Sequence, residues 1–303
     1  MYQQHFGLSE KPFNLTPDTQ FFCQLPPHQE ALNVLLIALT NGEGFIKITG
    51  DVGTGKTLLC RKLLNELGGN FQTAYLANPN LTPSGLRKAV ADEFSIKYAQ
   101  NINQQQLLQL LNQALINISS QGQQAVLIID EAQAMSLETL EALRLLTNLE
   151  TEKQKLLQIV LFAQPELDEL LSQKSIRQLK QRITFSYQLR ALTLSELSNY
   201  INHRLKTAGS TSSCLFSKPA FKLLHFYSRG IPRLINILAH KAMLAAYGRG
   251  VLTINKRLIR IAALDTEDCA LSIQKQRRFK FIYLVLSLVL TSFGLLFLLR
   301  DQI

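Results

Sequence analysis

Between residues 45 and 190 short apolar runs alternate with longer stretches in which apolar residues recur every three or four positions. The runs Phe45–Thr49, Phe71–Ala77, Ala125–Ile129, Leu156–Ala163 and Ile183–Leu189 predict five strands. The longer stretches predict helices. Among them are Lys56–Leu67, stopped by Gly68 and Gly69, and Ser136–Asn148, with Leu137, Leu140, Leu143 and Leu146 or Leu149 at helical spacing. Strand and helix in alternation imply a parallel sheet covered by helices. The polar stretch Gln100–Gln106 reads as a connection.

Beyond residue 190 strand signals fade and helices dominate. Thr193-Leu-Ser-Glu196 fits a capping box, Ser217 with Pro219 opens a second helix, and Pro232 opens a third. The expected layout is an α/β core over 1–190 and a small helical domain over 191–268. A basic segment then covers 269–280, an apolar one 281–299 and a short tail 300–303. Phe281–Leu299 holds nineteen residues without a charge, long enough to span a bilayer as a helix. Lys275, Arg277, Arg278 and Lys280 precede it, and the positive-inside rule then keeps the preceding domains in the cytoplasm. A soluble helix apolar on every face is the less favoured alternative.

Charge sharpens this layout more than bulk composition does. The net charge is +10, yet residues 1–217 carry 18 basic and 18 acidic residues. Residues 218–260 carry nine basic residues and no acidic one. Such a patch suits phosphates, nucleic acid or anionic lipid, or is simply a solvated helix surface. Cys23, Cys60, Cys214 and Cys269 lie far apart without a C-x-x-C pair, which points to a reducing compartment and no structural metal. The N-terminus lacks the charged and apolar regions of a secretory signal.

The chemistry begins at Gly50-Asp51-Val52-Gly53-Thr54-Gly55-Lys56-Thr57, which matches G-x-x-x-x-G-K-[ST] between a predicted strand and a predicted helix. Glycines let backbone N–H groups approach phosphates, and the following helix offers its positive end. Lys56 suits the β- and γ-phosphates of ATP, and the Thr57 hydroxyl suits Mg²⁺. Ala125–Ile129 is apolar throughout, as a strand buried on both faces would be, and ends in Asp130 and Glu131. Carboxylates at that end of a central strand lie in the ligand crevice. Asp130 is therefore a candidate for Mg²⁺ and Glu131 for polarising the attacking water. Asp130-Glu-Ala-Gln133 also fits an RNA-helicase box, but the region after 190 is too short and too helical for a second motor domain.

Three further residues suit an ATPase that reports its nucleotide state. Gln164, after the strand Leu156–Ala163, suits the γ-phosphate or the water, or is only a polar strand end. Arg182 stands just before a strand, where an arginine can reach a neighbouring subunit's ATP; Arg177 and Arg190 compete for that role, and a cation closing a helix is the plainer reading. Arg233, in Gly230-Ile-Pro-Arg233, opposes the dipole of the helix it opens, which implies an anionic partner.

With these residues in view, the chain resembles the ExeA/GspA-like branch of AAA+ ATPases. The likeness is carried by His5-Phe-Gly-Leu8, Pro12-Phe13, Leu15-Thr-Pro-Asp18, His28 with Glu30-Ala-Leu32, Gly42-Glu-Gly-Phe45, and the 50–57 loop. Leu127–Gln133, Glu141–Glu150, Gln164-Pro-Glu-Leu167, Arg177–Ile183 and Gly230–Arg233 complete it over roughly residues 1–265. The resemblance implies a five-stranded P-loop AAA+ core with a helical lid, His28 and its neighbours near the adenine, Gln164 as first sensor, Arg182 as finger and Arg233 as second sensor. It further implies ATP hydrolysis with Mg²⁺ in a homo-oligomer. The setting would be assembly of an MSHA-like type IV pilus or type II secretion machinery at the bacterial inner membrane. Members continue past their membrane helix into a peptidoglycan-binding domain, and the sequence ends at Ile303, so direct cell-wall binding is not expected.

Two other readings compete. One is a DNA-binding AAA+ regulator of the transposition-helper type, with the basic 218–260 region on phosphates; the apolar C-terminal segment argues against nucleic acid. The other is a nucleotide-gated scaffold with slow turnover, against which Glu131 argues.

Overall fold

The computed structural model describes residues 2–150, 155–211 and 215–269. In chain order its regular elements are α1 (Tyr2–His5), α2 (Pro26–Thr40), β1 (Phe45–Gly50), α3 (Lys56–Glu66), β2 (Phe71–Leu76), α4 (Pro83–Glu93), α5 (Gln104–Ser120), β3 (Gln124–Ile129) and α6 (Leu137–Leu146). There follow β4 (Leu157–Ala163), α7 (Glu166–Leu171), α8 (Arg177–Arg182), β5 (Phe185–Leu189), α9 (Leu194–Thr207), α10 (Lys218–Ser228), α11 (Pro232–Tyr247) and α12 (Lys256–Leu264).

The five strands form one parallel sheet in the order β2-β3-β4-β1-β5. The chain leaves β1 for the far edge, returns through β3 and β4, and then crosses to the other side of β1. The loop after β1 therefore sits where the winding reverses, the usual crevice of an open α/β sheet. Alternation along the central strands feeds two cores. Ala125, Leu127 and Ile129 join Leu86, Leu107, Leu111 and Leu140 from α4, α5 and α6. Val126 and Ile128 join Ala31, Leu35, Leu59 and Leu63 from α2 and α3 on the opposite face. Both sets are removed from water, which is why β3 reads as unbroken apolar sequence. The edge strand β5 alternates exposed and half-buried residues until Leu189.

The chain divides into two compact units. Of the described residues, one comprises Thr16–Leu192 with Ile231–Arg233; the other comprises Tyr2–Leu15, Thr193–Gly230 and Leu234–Cys269. The first fifteen residues, assigned from sequence to the α/β part, thus group with the helices. Their side chains explain it: the Tyr2 hydroxyl lies 3.0 Å from His240 Nδ1, Arg204 donates to the carbonyl of Pro12, and the rings of Phe13 and Phe216 meet edge to face. The predicted polar connection at Gln100–Gln106 is corrected in part. Asn103 caps the backbone N–H of Gln106, so Gln104 to Gln106 form the first turn of α5.

The apolar segment Phe281–Leu299, the basic residues 270–280 and the tail lie outside the described residues. Among the described residues no helix is long and apolar enough to cross a membrane.

The capping box opening α9 is present in both halves: the Glu196 N–H donates to Thr193 Oγ1, and the Thr193 N–H donates to Glu196 Oε2 at 2.8 Å. Thr193→Ala should lower the unfolding free energy of the helical unit by about 1 kcal/mol. Thr193→Ser should stay near the parent in denaturant titrations followed by far-UV circular dichroism, and equal loss in both variants would show that the cap is not what stabilises α9.

Candidate nucleotide-binding site

Strand β1 ends at Gly50, and the loop returns on itself before α3 starts at Lys56. The turn is held from within, since Thr54 donates to the Asp51 carbonyl through both its N–H and its hydroxyl. Two glycines are required by geometry. Gly53 has φ +82°, and a Cβ there would lie 2.5 Å from the Cβ of Arg233. Gly55 has φ +102°, and a Cβ there would lie 2.9 Å from His28 Nε2. Any L side chain would meet strain and a clash together.

Two residues distant in sequence brace this loop. His28, buried in the first turn of α2, places Nε2 2.9 Å from the Thr54 carbonyl. A carbonyl only accepts, so His28 carries its proton on Nε2 here. Arg233 donates its backbone N–H to the Gly53 carbonyl at 3.1 Å. It thereby lies against the loop, within the α/β unit.

The Lys56 ammonium folds back to donate to the carbonyls of Gly50 at 2.7 Å and Asp51 at 3.1 Å. Burial lowers its pKa, and the charges of Glu131, Asp130, Asp51 and Glu166 oppose that shift. Asp130 directly follows β3 and is 3% exposed. Burial raises its pKa, against hydrogen bonds from the Thr57 side chain and the Glu131 N–H. Phosphate-type cation, metal-type carboxylate and hydroxyl are thus brought to one crevice.

Glu131 has a left-handed backbone, φ +52°, uncommon for a residue with a side chain. Its carboxylate accepts from the side-chain amides of Gln133 and of Gln164, the latter at 3.1 Å. Gln133 Oε1 in turn accepts the backbone N–H of Gln164 at 2.9 Å. Because only the amide oxygen can accept that N–H, the Gln133 nitrogen must face Glu131. Sequence reasoning missed Gln133 as a site residue, although it stands in the same Asp130-Glu-Ala-Gln133 run; its bridging role depends on β3 and β4 being neighbours.

Arg182 is placed elsewhere in the same unit. As the last residue of α8 it donates to Thr147 Oγ1 at 2.6 Å and to the Arg144 carbonyl at 3.3 Å, at the negative end of α6. Arg177, at the start of α8, and Arg190, after β5, are both exposed.

A phosphate-type loop at the switch point of a parallel five-stranded sheet, facing an Asp-Glu strand end, defines a P-loop protein of the AAA+ class. The AAA domain family matches residues 39–171. Over 265 residues the chain is 42% identical to General secretion pathway protein A of Aeromonas hydrophila, an alignment that takes in 88% of this chain and 48% of that one. The chain belongs to the ExeA/GspA-like family of AAA+ proteins, and it spans about half the length of this relative. Solved structures with a similar fold include Cdc6p from Pyrobaculum aerophilum (TM-score 0.65, 19% identity, 84% of this chain and 70% of that one). They also include the Aeropyrum pernix ORC2 protein in its ADPNP–ADP complexes (TM-score 0.64, 18% identity, 86% and 72%). The Thermotoga maritima RuvB Holliday junction branch migration motor is similar too (TM-score 0.54, 21% identity, 85% and 75%). At these identities the likeness is one of fold.

The raised pKa of Asp130 has a consequence for stability. The folded protein holds this proton to higher pH than the unfolded chain does, so stability is lost as pH rises from the ordinary carboxylate range through the folded value. Asp130→Asn removes that loss and keeps the side chain's size. Without nucleotide or metal, the variant should melt higher than the parent at pH 7 and no higher at acid pH. A lower Tm at pH 7 would contradict this account of Asp130.

Proposed function

We propose that the protein binds ATP with Mg²⁺ and hydrolyses it as a subunit of a homo-oligomer. The observation that carries this reading is the meeting of Lys56, Thr57, Asp130 and Glu131 at the ends of β1 and β3, with every polar group at hydrogen-bonding or coulombic reach of another. The residues fit the ligand: a buried ammonium is held by two carbonyls of its own loop, beside the start of a helix whose free N–H groups suit phosphate. Burial raises the pKa of Asp130, and a cation beside it would favour its charged form.

Bound Mg·ATP supplies the transferable phosphoryl group and its counter-charge. Lys56 would hold the phosphates, and Thr57 and Asp130 would hold the cation. Glu131 takes the proton of the attacking water, and Gln164 is the residue that can exchange its bond to Glu131 for one to the water or the γ-phosphate. Arg233 approaches over Gly53, and His28 keeps the loop in shape. Arg182 acts across a subunit boundary in this reading, which the family resemblance supports; within one chain its bond to Thr147 holds the guanidinium in place.

The setting comes from the relative and from the sequence. A. hydrophila General secretion pathway protein A supports a part in type II secretion assembly, and the resemblance extends this to an MSHA-like type IV pilus. Phe281–Leu299 and its four preceding cations support a single pass through the bacterial inner membrane with the ATPase on the cytoplasmic face. The DNA-binding alternative has the basic charge after residue 217 in its favour and no residue of this site.

Glu131→Gln should retain ATP binding, because phosphate and metal contacts are untouched, and should lower turnover at least about a hundredfold. Equilibrium binding of a fluorescent ATP analogue and phosphate release at saturating ATP check the two halves. Undiminished phosphate release would remove Glu131 from the reaction.

A further inference from the structure

We propose that the turn after α11, together with the starts of α10 and α12, forms a docking surface for an anionic lipid bilayer. This deepens the membrane reading of the chain and rests on it. Residues 197–264 hold eleven Lys and Arg and no Asp or Glu, and all the residues used below belong to the helical unit.

The starts of α10 and α12 lie side by side. Phe216 and Ile254 form a parallel bridge, in which the Ser217 N–H donates to the Ile254 carbonyl at 3.0 Å and the Ile254 N–H to the Leu215 carbonyl at 2.7 Å. Each helix begins two residues later, one at Lys218 and the other at Lys256-Arg257, and neither has an acidic residue in its first turn. Cations at the positive ends of two adjacent helices are unfavourable unless an anion meets them. Lys222 and Arg260, one turn further on, extend both exposed rows.

The turn that leads into α12 adds apolar surface to this charge. Val251 is 40% and Leu252 58% exposed, between Arg249 and Lys256. They project from a fixed support, because the Val251 N–H donates to the Ala246 carbonyl at 3.1 Å and the Gly250 N–H to the Tyr247 carbonyl at 3.0 Å. His5 Nε2 donates to the Val251 carbonyl at 3.1 Å, and its ring packs edge to face on Tyr247. Two exposed aliphatic side chains flanked in the chain by Arg249 and Lys256 suit the boundary between headgroups and acyl chains, where apolar burial and attraction to anionic lipid act together. A nucleic-acid backbone would satisfy the cations and leave Val251 and Leu252 against water and phosphate.

The acids nearest α12 in sequence lie past its far end. Asp265, Glu267 and Asp268 follow the other end of α12, about 13 Å from its start. Helix α12 is thus polarised along its length, positive at the end near the apolar pair. Eleven residues separate Cys269 from Phe281, a reach of at most about 40 Å, so a membrane span at 281–299 keeps this surface within contact of the bilayer.

The chain contains no tryptophan, so Leu252→Trp introduces a single reporter. Full-length Leu252→Trp protein is incorporated into vesicles of phosphatidylcholine with phosphatidylglycerol, and into phosphatidylcholine alone. Expected is a blue-shifted emission quenched by brominated acyl chains only in the anionic vesicles. High salt, or Lys256→Glu with Arg257→Glu, should weaken this signal by about tenfold or more. Val251→Trp repeats the measurement should Leu252→Trp misfold. Flotation after a carbonate wash reads the membrane span separately: protein that floats but shows a water-exposed tryptophan in both vesicles overturns the docking surface and spares the span. A blue shift produced by duplex DNA, and not by anionic vesicles, would assign the surface to nucleic acid and overturn the proposal.

Discussion

The Lys56 ammonium is buried among the ends of three segments and held by two carbonyl oxygens of its own loop. Removing that charge from water is costly, as its lowered pKa records, and carbonyl dipoles repay only part of the cost. The nearby charges of Glu131, Asp130 and Asp51 offset a further part, and the net shift stays downward. Each of those acids is there because a strand or turn ends at that point. The turn must also keep Gly53 and Gly55 in the left-handed region, which needs His28 on one side and Arg233 on the other. A single buried cation thus ties together β1, β3, α2 and the Ile231–Arg233 segment.

The placement of β4 gives the site its second property. By lying between β1 and β3, it brings Gln164 beside Glu131, and Gln133 closes the triangle with its amide oxygen on the Gln164 N–H. Two amide donors on one carboxylate fix its direction, so Glu131 cannot move without Gln164 responding. The strand that carries Gln164 to this position, β4, is buried along all seven of its residues.

Much of this was legible in the sequence because it rests on local rules. The strand and helix periods, the glycine loop, the acidic strand end and the Thr193–Glu196 box each depend on residues close in the chain. What escaped depends on partners far apart. The grouping of the N-terminal residues with the helices rests on Tyr2 with His240 and on Pro12 with Arg204, contacts across some two hundred residues. Gln133 looked like the end of a motif until β3 and β4 were neighbours. Gln104 to Gln106 looked like a linker because polar composition hides a first helical turn that Asn103 caps. Arg182 was read by its position before a strand, whereas its side chain is set by Thr147 at the end of α6.

If the buried ammonium is what the nucleotide satisfies, ligand binding must stabilise the folded protein through Lys56. The most direct measurement is the melting temperature with and without Mg·ATP, for the parent chain and for Lys56→Ala. At a hundredfold excess over its dissociation constant a ligand adds about 2.7 kcal/mol to the stability of the state that binds it. The parent should therefore show a clear rise in Tm that grows with ATP concentration, and Lys56→Ala should show none over the same range. An equal rise in both proteins would contradict the account, because it would mean that the nucleotide is bound without the charge around which the site is built.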